Sequence, residues 1–116
     1  MSVAISVPET GLFNPNPSDN WKPVEGSPTM KTWLEFQTAD KAMVTGTWHS
    51  TTGTWHSENT PYHEYIYLIA GAIELTADGG ETVSVKAGDA FLVEAGFTGT
   101  WKVTEPVEKR FCLRLA

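Results

Sequence analysis

The sequence predicts an all-β fold, in which many short strands build one small barrel or sandwich. Apolar and polar residues alternate over short stretches, and glycine-containing turns recur at intervals of about eight to twelve residues. No window carries the 3.6-residue periodicity of an amphipathic helix. The chain has 116 residues, which suffice for one domain with a core of its own but not for two.

The N-terminal segment, residues 1–30, differs in composition from the rest and is predicted to be an extended arm. Proline removes a backbone donor and resists helix and central strand, and five prolines punctuate the segment: Pro8, Pro15, Pro17, Pro23 and Pro28. Its apolar residues give the arm something to bury: Val3, Ile5, Leu12, Phe13 and Trp21. We therefore expect the arm to pack on its own barrel or on a neighbour's, with the barrel domain spanning residues 31–116.

Strand candidates follow one another through the predicted barrel domain. In chain order they are 33–36, 42–49, 65–75 with an interruption at Gly71, 82–85, 91–93, 101–104 and 110–115. Asp78-Gly79-Gly80 predicts a hairpin turn between the third and fourth of them, because Asp-Gly adopts positive φ at low cost.

The six residues Thr-Gly-Thr-Trp-His-Ser occur twice, at 45–50 and 52–57. Two copies of so short a unit are too few for a repeat architecture. We interpret them as two consecutive strand segments on either side of Gly53. Trp48 and Trp55 would then pack against one face of a sheet.

Composition excludes several classes of partner. The formal charge of −6, with few clustered basic residues, argues against a nucleic-acid partner. No apolar run is long enough to span a bilayer, and the N-terminus lacks the features of a signal peptide. One cysteine, Cys112, leaves no internal disulfide to form. These features together predict a cytoplasmic protein.

A polar cluster precedes the apolar stretch 65–69 and is the strongest candidate for a site. Strand alternation places Glu64 on the face shared with Ile66 and Leu68, where burial would make its carboxylate a candidate acid, base or anchor. His56 and Glu58 share a strand face, so that with Glu64 they are candidate ligands for a divalent metal such as Zn, Mn or Fe. In the alternative, His56 is hydrogen-bonded at the rim and Glu58 is solvated.

Two stretches resemble the motifs of the cupin superfamily. Residues 64–71, from Glu64 to Gly71, resemble the end of the first cupin motif, and residues 88–96, from Gly88 to Gly96, resemble the start of the second. The stretches 61–64 and 99–109 look like those of small single-domain cupins similar to the ethanolamine-utilisation cupins and the (S)-ureidoglycine aminohydrolase cupin domains. The resemblance implies a jelly-roll β-barrel over roughly residues 44–115 and a homodimer, since cupins of this size commonly pair.

This sequence matches the family's metal-binding pattern at one position. Glu64 matches the first motif's glutamate, whereas Gly99 stands where the second motif's histidine would be and Glu94 where its proline would be. We therefore expect a barrel pocket that binds a small polar or carboxylate-bearing metabolite. Its candidate ligand-binding residues are Glu64, His56, Tyr62, Phe91 and Trp101. Two alternatives remain open at this point: a metal-dependent enzyme acting on a ureido or amino compound, and a non-catalytic assembly module.

Overall fold

The computed structural model of the chain describes residues 12–14 and 20–116. The described residues form strands joined by turns, with no helix among them, which confirms the predicted all-β fold. No helix of the described chain is long and apolar enough to cross a membrane. The strands are β1 (Leu12–Asn14), β2 (Trp21–Glu25), β3 (Met30–Gln37), β4 (Met43–Ser50), β5 (Gly53–Ser57), β6 (Tyr62–Ala77), β7 (Thr82–Lys86), β8 (Ala90–Val93) and β9 (Gly99–Leu115).

Two long antiparallel strands, β6 and β9, form the centre of the sheet and pair from Tyr62↔Leu115 to Ala77↔Gly99. The outer edge of β9 pairs with β4 and then with β5, whereas the outer edge of β6 pairs with β8 and then with β7. β3 adds to β4, β1 adds to β3, and β2 adds to β5. The result is a sheet curled into a half-barrel, whose concave face carries the core.

The pairing between β6 and β9 is irregular near the middle of both strands. Gly71 has a φ of +91°, and the register between the two strands shifts between Leu68 and Ile73. A Cβ at Gly71 would collide with the backbone carbonyl of Pro106, so that only glycine fits this close approach. The sequence predicted an interruption at Gly71 and two separate strands at 101–104 and 110–115. In the structure both strands continue through irregular β-bulges and bend instead.

The core is dominated by tryptophan. Trp21 lies 5.8 Å from Trp48, 6.4 Å from Trp55 and 5.0 Å from Trp101, measured between ring centroids. The buried apolar residues are Trp21, Met30, Val44, Trp48, Trp55, Ile66, Leu68, Ile73, Leu75, Val85, Val93, Trp101, Val103, Val107 and Phe111. An aromatic side chain such as tryptophan buries roughly 150–250 Å², so that a chain of this length obtains a large share of its hydrophobic stabilisation from a few rings.

The repeated hexapeptide supplies two of these rings, Trp48 and Trp55, and the acceptors for two of the indole N–H groups. Within each copy the tryptophan and the serine two residues later point inward, because side chains alternate along a strand. The indole of Trp55 donates to Ser50 Oγ at 2.9 Å, and that of Trp101 donates to Ser57 Oγ at 3.2 Å. A buried indole N–H needs such a partner, and each serine of the repeat provides it for a tryptophan outside its own copy.

The described part of the predicted arm is joined to the sheet. β2 pairs with β5, and Trp21 at its start is buried in the core. β1 pairs with β3 through its backbone. The remaining apolar positions of the arm, Val3 and Ile5, lie outside the described residues.

A caged ion pair in the candidate functional site

A cavity of about 150 Å³ opens into the concave face beside β6 and β9. Glu64 reaches it from β6, together with the inward-facing Ile66 and Leu68 of the same strand. Lys109 reaches it from β9, where it lies between the inward-facing Val107 and Phe111 and opposite Leu68. The described lining residues are Trp21, Met30, Thr32, Leu34, Trp48, Tyr62, Glu64, Lys109, Phe111 and Leu113.

Lys109 and Glu64 form a buried ion pair. Nζ of Lys109 donates to Oε2 of Glu64 at 2.7 Å, and the two side chains are 3% and 5% exposed. A lone charge at this depth would be strongly unfavourable, whereas a paired and hydrogen-bonded charge can be accommodated. Each of the two charges therefore needs the other to offset the cost of its burial.

Four aromatic rings lie close to the ammonium group. Nζ of Lys109 lies 4.5 Å from the ring centroid of Trp101 and 4.6 Å from that of Trp48. The rings of Trp21 and Phe111 follow at 5.9 Å each. These distances permit cation–π attraction, which is strongest where water is excluded. Burial nevertheless lowers the pKa of Lys109 below its usual value, although the carboxylate of Glu64 opposes this effect.

Tyr62 lies at the start of β6, two residues before Glu64 and on the same face. Burial raises the pKa of its hydroxyl, and the nearby negative charge of Glu64 raises it further; a hydrogen bond with Trp21 partly opposes both effects. Tyr62 therefore presents a neutral hydroxyl to the cavity, which can both donate and accept a hydrogen bond.

Two of the five predicted ligand-binding residues, Glu64 and Tyr62, line the cavity. The ring of Trp101 lies near the ammonium group of Lys109 but is not among the lining residues. Phe91 lies on β8 and lines a different, more apolar cavity of about 370 Å³, next to β7. His56 also lies elsewhere: its Nε2 is 3.0 Å from Oδ2 of Asp78, at the hairpin between β6 and β7.

The three candidate metal ligands are not brought together. His56 faces Thr100 near the start of β9, whereas Glu64 faces Leu113 near its end. Glu58 is exposed in the loop after β5, where its backbone bonds to Asn20. Within residues 12–14 and 20–116, no group of three or more His, Cys, Asp or Glu side chains could hold a metal ion. Metal binding by His56, Glu58 and Glu64 stays a prediction for metal analysis to test.

Sequence reasoning missed Lys109, the partner of Glu64. The predicted site residues did not include it, and the partner expected for Glu64 was a metal ion or a bound ligand. The signal was present in the alternation of β9, since Val107, Lys109 and Phe111 are spaced two apart. Strand periodicity alone would have placed the lysine on the inner face with them.

The comparisons with known proteins agree with this architecture. A solved structure of the Clostridium difficile EutQ protein matches with a TM-score of 0.67 and 21% identity, over 78% of this chain and 65% of that one. A DUF861 family protein from Pseudomonas syringae pv. tomato matches with a TM-score of 0.71 and 23% identity, over 89% of this chain and 44% of that one. A DUF861 family protein from Thermotoga maritima matches with a TM-score of 0.55 and 26% identity, over 60% of this chain and 76% of that one.

The first two of these proteins are longer than this chain, which covers less than two thirds of each. The search of functionally curated proteins found no match. The family model described as the EutQ-like cupin domain matches residues 37–111, well over half of the sequence. The cupin fold expected from the two motifs is thereby confirmed, and the chain belongs to the EutQ-like cupin family.

Proposed function

We propose that this small cupin protein binds a small polar metabolite, an acid or an amide, in the cavity beside Glu64 and Lys109. The observation that carries the proposal is the buried ion pair at the cavity wall. A few convergent polar groups within mostly apolar walls are the usual composition of a ligand site. The proposal goes beyond the family assignment, because one cupin fold hosts many activities.

The volume of the cavity limits the size of the ligand. At about 150 Å³ it lies below the range of drug-sized pockets. An engineered cavity of about this volume in another protein accepts benzene. We therefore expect a ligand of roughly that size or smaller, such as a short-chain acid or amide.

The charge of the cavity limits the chemistry of the ligand. Glu64 and Lys109 neutralise one another, so that an added carboxylate would bring an uncompensated charge into a desolvated site. A neutral group with a donor beside an acceptor avoids this cost, because the acceptor can face Lys109 while the donor faces Glu64. A carboxamide meets this requirement directly, and a carboxylate meets it by taking up a proton.

Three probes of nearly equal shape test these requirements: propionamide, propionate and propylammonium. Titration calorimetry should detect binding of the amide, and binding of propionate that strengthens as the pH falls. Propylammonium should not bind, since it offers Lys109 no acceptor. If all three bind equally, or none binds, the proposal is wrong.

The variant Glu64→Gln removes the charge of Glu64 and keeps its shape. Loss of a charge-assisted hydrogen bond worth about 1.5–3 kcal/mol should weaken amide binding roughly ten- to a hundredfold. Glu105→Gln is the matched control, because Glu105 is exposed on β9 outside the cavity, and it should bind the amide like the parent protein. Metal analysis of the same preparations tests the alternative of a metal-dependent enzyme.

A further inference from the structure

We propose that Lys109 is also a nucleophile, whose amine forms a reversible imine with a short aliphatic aldehyde in this cavity. The inference rests on the cavity of the proposed function, but it adds a covalent step to it. Reversible binding of an amide and covalent capture of an aldehyde are separate properties, and each can be tested without the other.

The position of the amine supports the proposal. Lys109 is one of the residues that line the cavity, and its side chain is only 3% exposed, so that its amine is largely desolvated beside the cavity. The other five lysines are exposed on the surface: Lys22, Lys31, Lys41, Lys86 and Lys102. Desolvation in an apolar pocket is one of the ways in which proteins activate a lysine for imine formation.

Glu64 supplies the proton transfers that the reaction needs. Its Oε2 lies 2.7 Å from Nζ of Lys109, within the reach of a general acid or base. Burial also lowers the pKa of Lys109, which increases the neutral fraction of the amine. The geometry and the environment thus favour the same reaction.

The step balances with the aldehyde as the only added reactant. Lys109 gives one ammonium proton to Glu64, and its free electron pair forms a bond to the carbonyl carbon. A second proton moves from nitrogen to oxygen, which gives a carbinolamine. Glu64 then returns its proton to the hydroxyl group, water leaves, and the nitrogen pair forms the C=N bond of a protonated imine. The positive charge of that imine stays beside the Glu64 carboxylate, as the ammonium was before.

The class of carbonyl compound follows from the walls. Among the described lining residues Lys109 is the one basic side chain, so that an acid group on the aldehyde would have no cation to pair with once the amine has reacted. The remaining walls are aromatic and aliphatic, which suits an alkyl chain. The volume of about 150 Å³ admits a short chain.

Reductive trapping on the parent protein tests the proposal. The protein is treated with limiting propanal and cyanoborohydride near neutral pH, digested, and analysed by mass spectrometry for propylated lysines. We expect Lys109 to gain the propyl group at least about tenfold faster than the exposed lysines. A buried lysine without activation would be the slowest of the six, so that unmodified Lys109, or Lys109 slower than the exposed lysines, overturns the proposal.

Two further measurements separate activation from access. Lys109→Arg keeps the positive charge but offers no amine, and should abolish the fast adduct while the exposed lysines react as before. Glu64→Gln should slow the adduct at Lys109, whereas Glu105→Gln, at an exposed residue outside the cavity, should not. Fast propylation that is equal in Glu64→Gln and the parent protein would contradict the role given to Glu64.

The two proposals are told apart by their results. Amide binding without a fast adduct at Lys109 would retain the proposed function and reject the imine. A fast adduct without amide binding would do the reverse.

Discussion

Lys109 and Glu64 line the cavity and also affect the stability of the protein, because they form a buried ion pair. Removing one partner leaves the other as an unpaired charge among tryptophan rings. Removing both leaves an apolar interior, which many proteins tolerate well. The single and double variants are therefore expected to behave very differently.

Lys109→Met or Glu64→Leu alone should each lower the free energy of unfolding by about 3–5 kcal/mol. The double variant should be much closer to the parent protein than the sum of the two losses, and urea unfolding measures all four. Lys86→Met is the surface control: Lys86 pairs with Asp89 at 3.8 Å but is exposed, so that its loss should cost at most about 1 kcal/mol. Additive losses in the double variant would show that the pair is not coupled.

Tyr62 predicts how stability responds to alkaline pH. Its pKa is raised in the folded protein, mainly by burial and also by Glu64, from the ordinary value of 10.0. Above about pH 10 the unfolded chain releases this proton while the folded protein retains it, so that the folded state binds more protons and its stability falls as the pH rises. Below about pH 10 the hydroxyl of Tyr62 is protonated in both the folded and the unfolded state, so that it causes no loss of stability there.

Tyr62→Phe removes the titrating group and should reduce the alkaline loss of stability. Urea midpoints at about pH 8 and about pH 11 should differ less in this variant than in the parent protein. The comparison is made between differences, because other groups titrate in the same range in both proteins. Equal losses in the two proteins would show that the Tyr62 hydroxyl does not govern this response.

At the scale of the elements, the two long strands β6 and β9 come into close contact where their pairing is irregular. Gly71 has positive φ and lies against the backbone of Pro106. Gly71→Ala combines an unfavourable φ with a backbone collision and should lower stability by about 2–3 kcal/mol. Gly79→Ala is the control: Gly79 has a φ of +71° but open space around it, and should cost about 1 kcal/mol. Equal losses of stability in the two variants, measured by chemical unfolding, would contradict the close approach of Gly71 to the backbone of Pro106.

The alternation of side chains made much of the fold predictable. The period of two in residues 64–68 placed Glu64, Ile66 and Leu68 on one face, and all three are buried. The continuity of the strands was harder to predict, because Gly71 and Pro106 look like ends of strands in the sequence. In the structure they are bulges, since pairing between β6 and β9 continues on both sides of them. Pairing partners distant in the sequence decide this, and local residue preferences do not contain them.

The candidate site was predictable at Glu64 and Tyr62 but not at Lys109. A lysine is almost never fully buried unless it is paired. The residue type of Lys109 therefore favours the surface, although the alternation of β9 places it on the inner face. His56 and Glu58 were grouped with Glu64 in the predicted site because they lie near it in the sequence. The structure does not bring them near it in space. The loop between β5 and β6 carries Glu64 away to the far end of β9.

At the scale of the whole molecule, the convex face of the sheet carries a row of mostly apolar residues that crosses five strands. Tyr65 lies opposite both Leu92 and Cys112, Cys112 lies opposite Thr45, and Thr45 lies opposite Phe36. Tyr65 is 54% exposed and Leu92 is 55% exposed. Within the described chain, Thr45 Oγ1 is buried there without a hydrogen-bond partner. Contiguous exposed apolar residues of this kind mark contact surfaces.

We expect this row to form the interface of a homodimer, in which a two-fold axis would pair the face with itself. Light scattering at micromolar concentration should give twice the monomer mass for the parent protein. The double variant Tyr65→Arg and Leu92→Arg should be monomeric, because it would place like charges in an apolar contact that meets its own copy. Val24→Arg and Val83→Arg are matched controls, since these valines are 55% and 58% exposed but lie outside the row, and they should remain dimeric. A monomeric parent protein would reject the dimer, whereas a dimer that survives both arginines would place its interface on another surface, such as the arm.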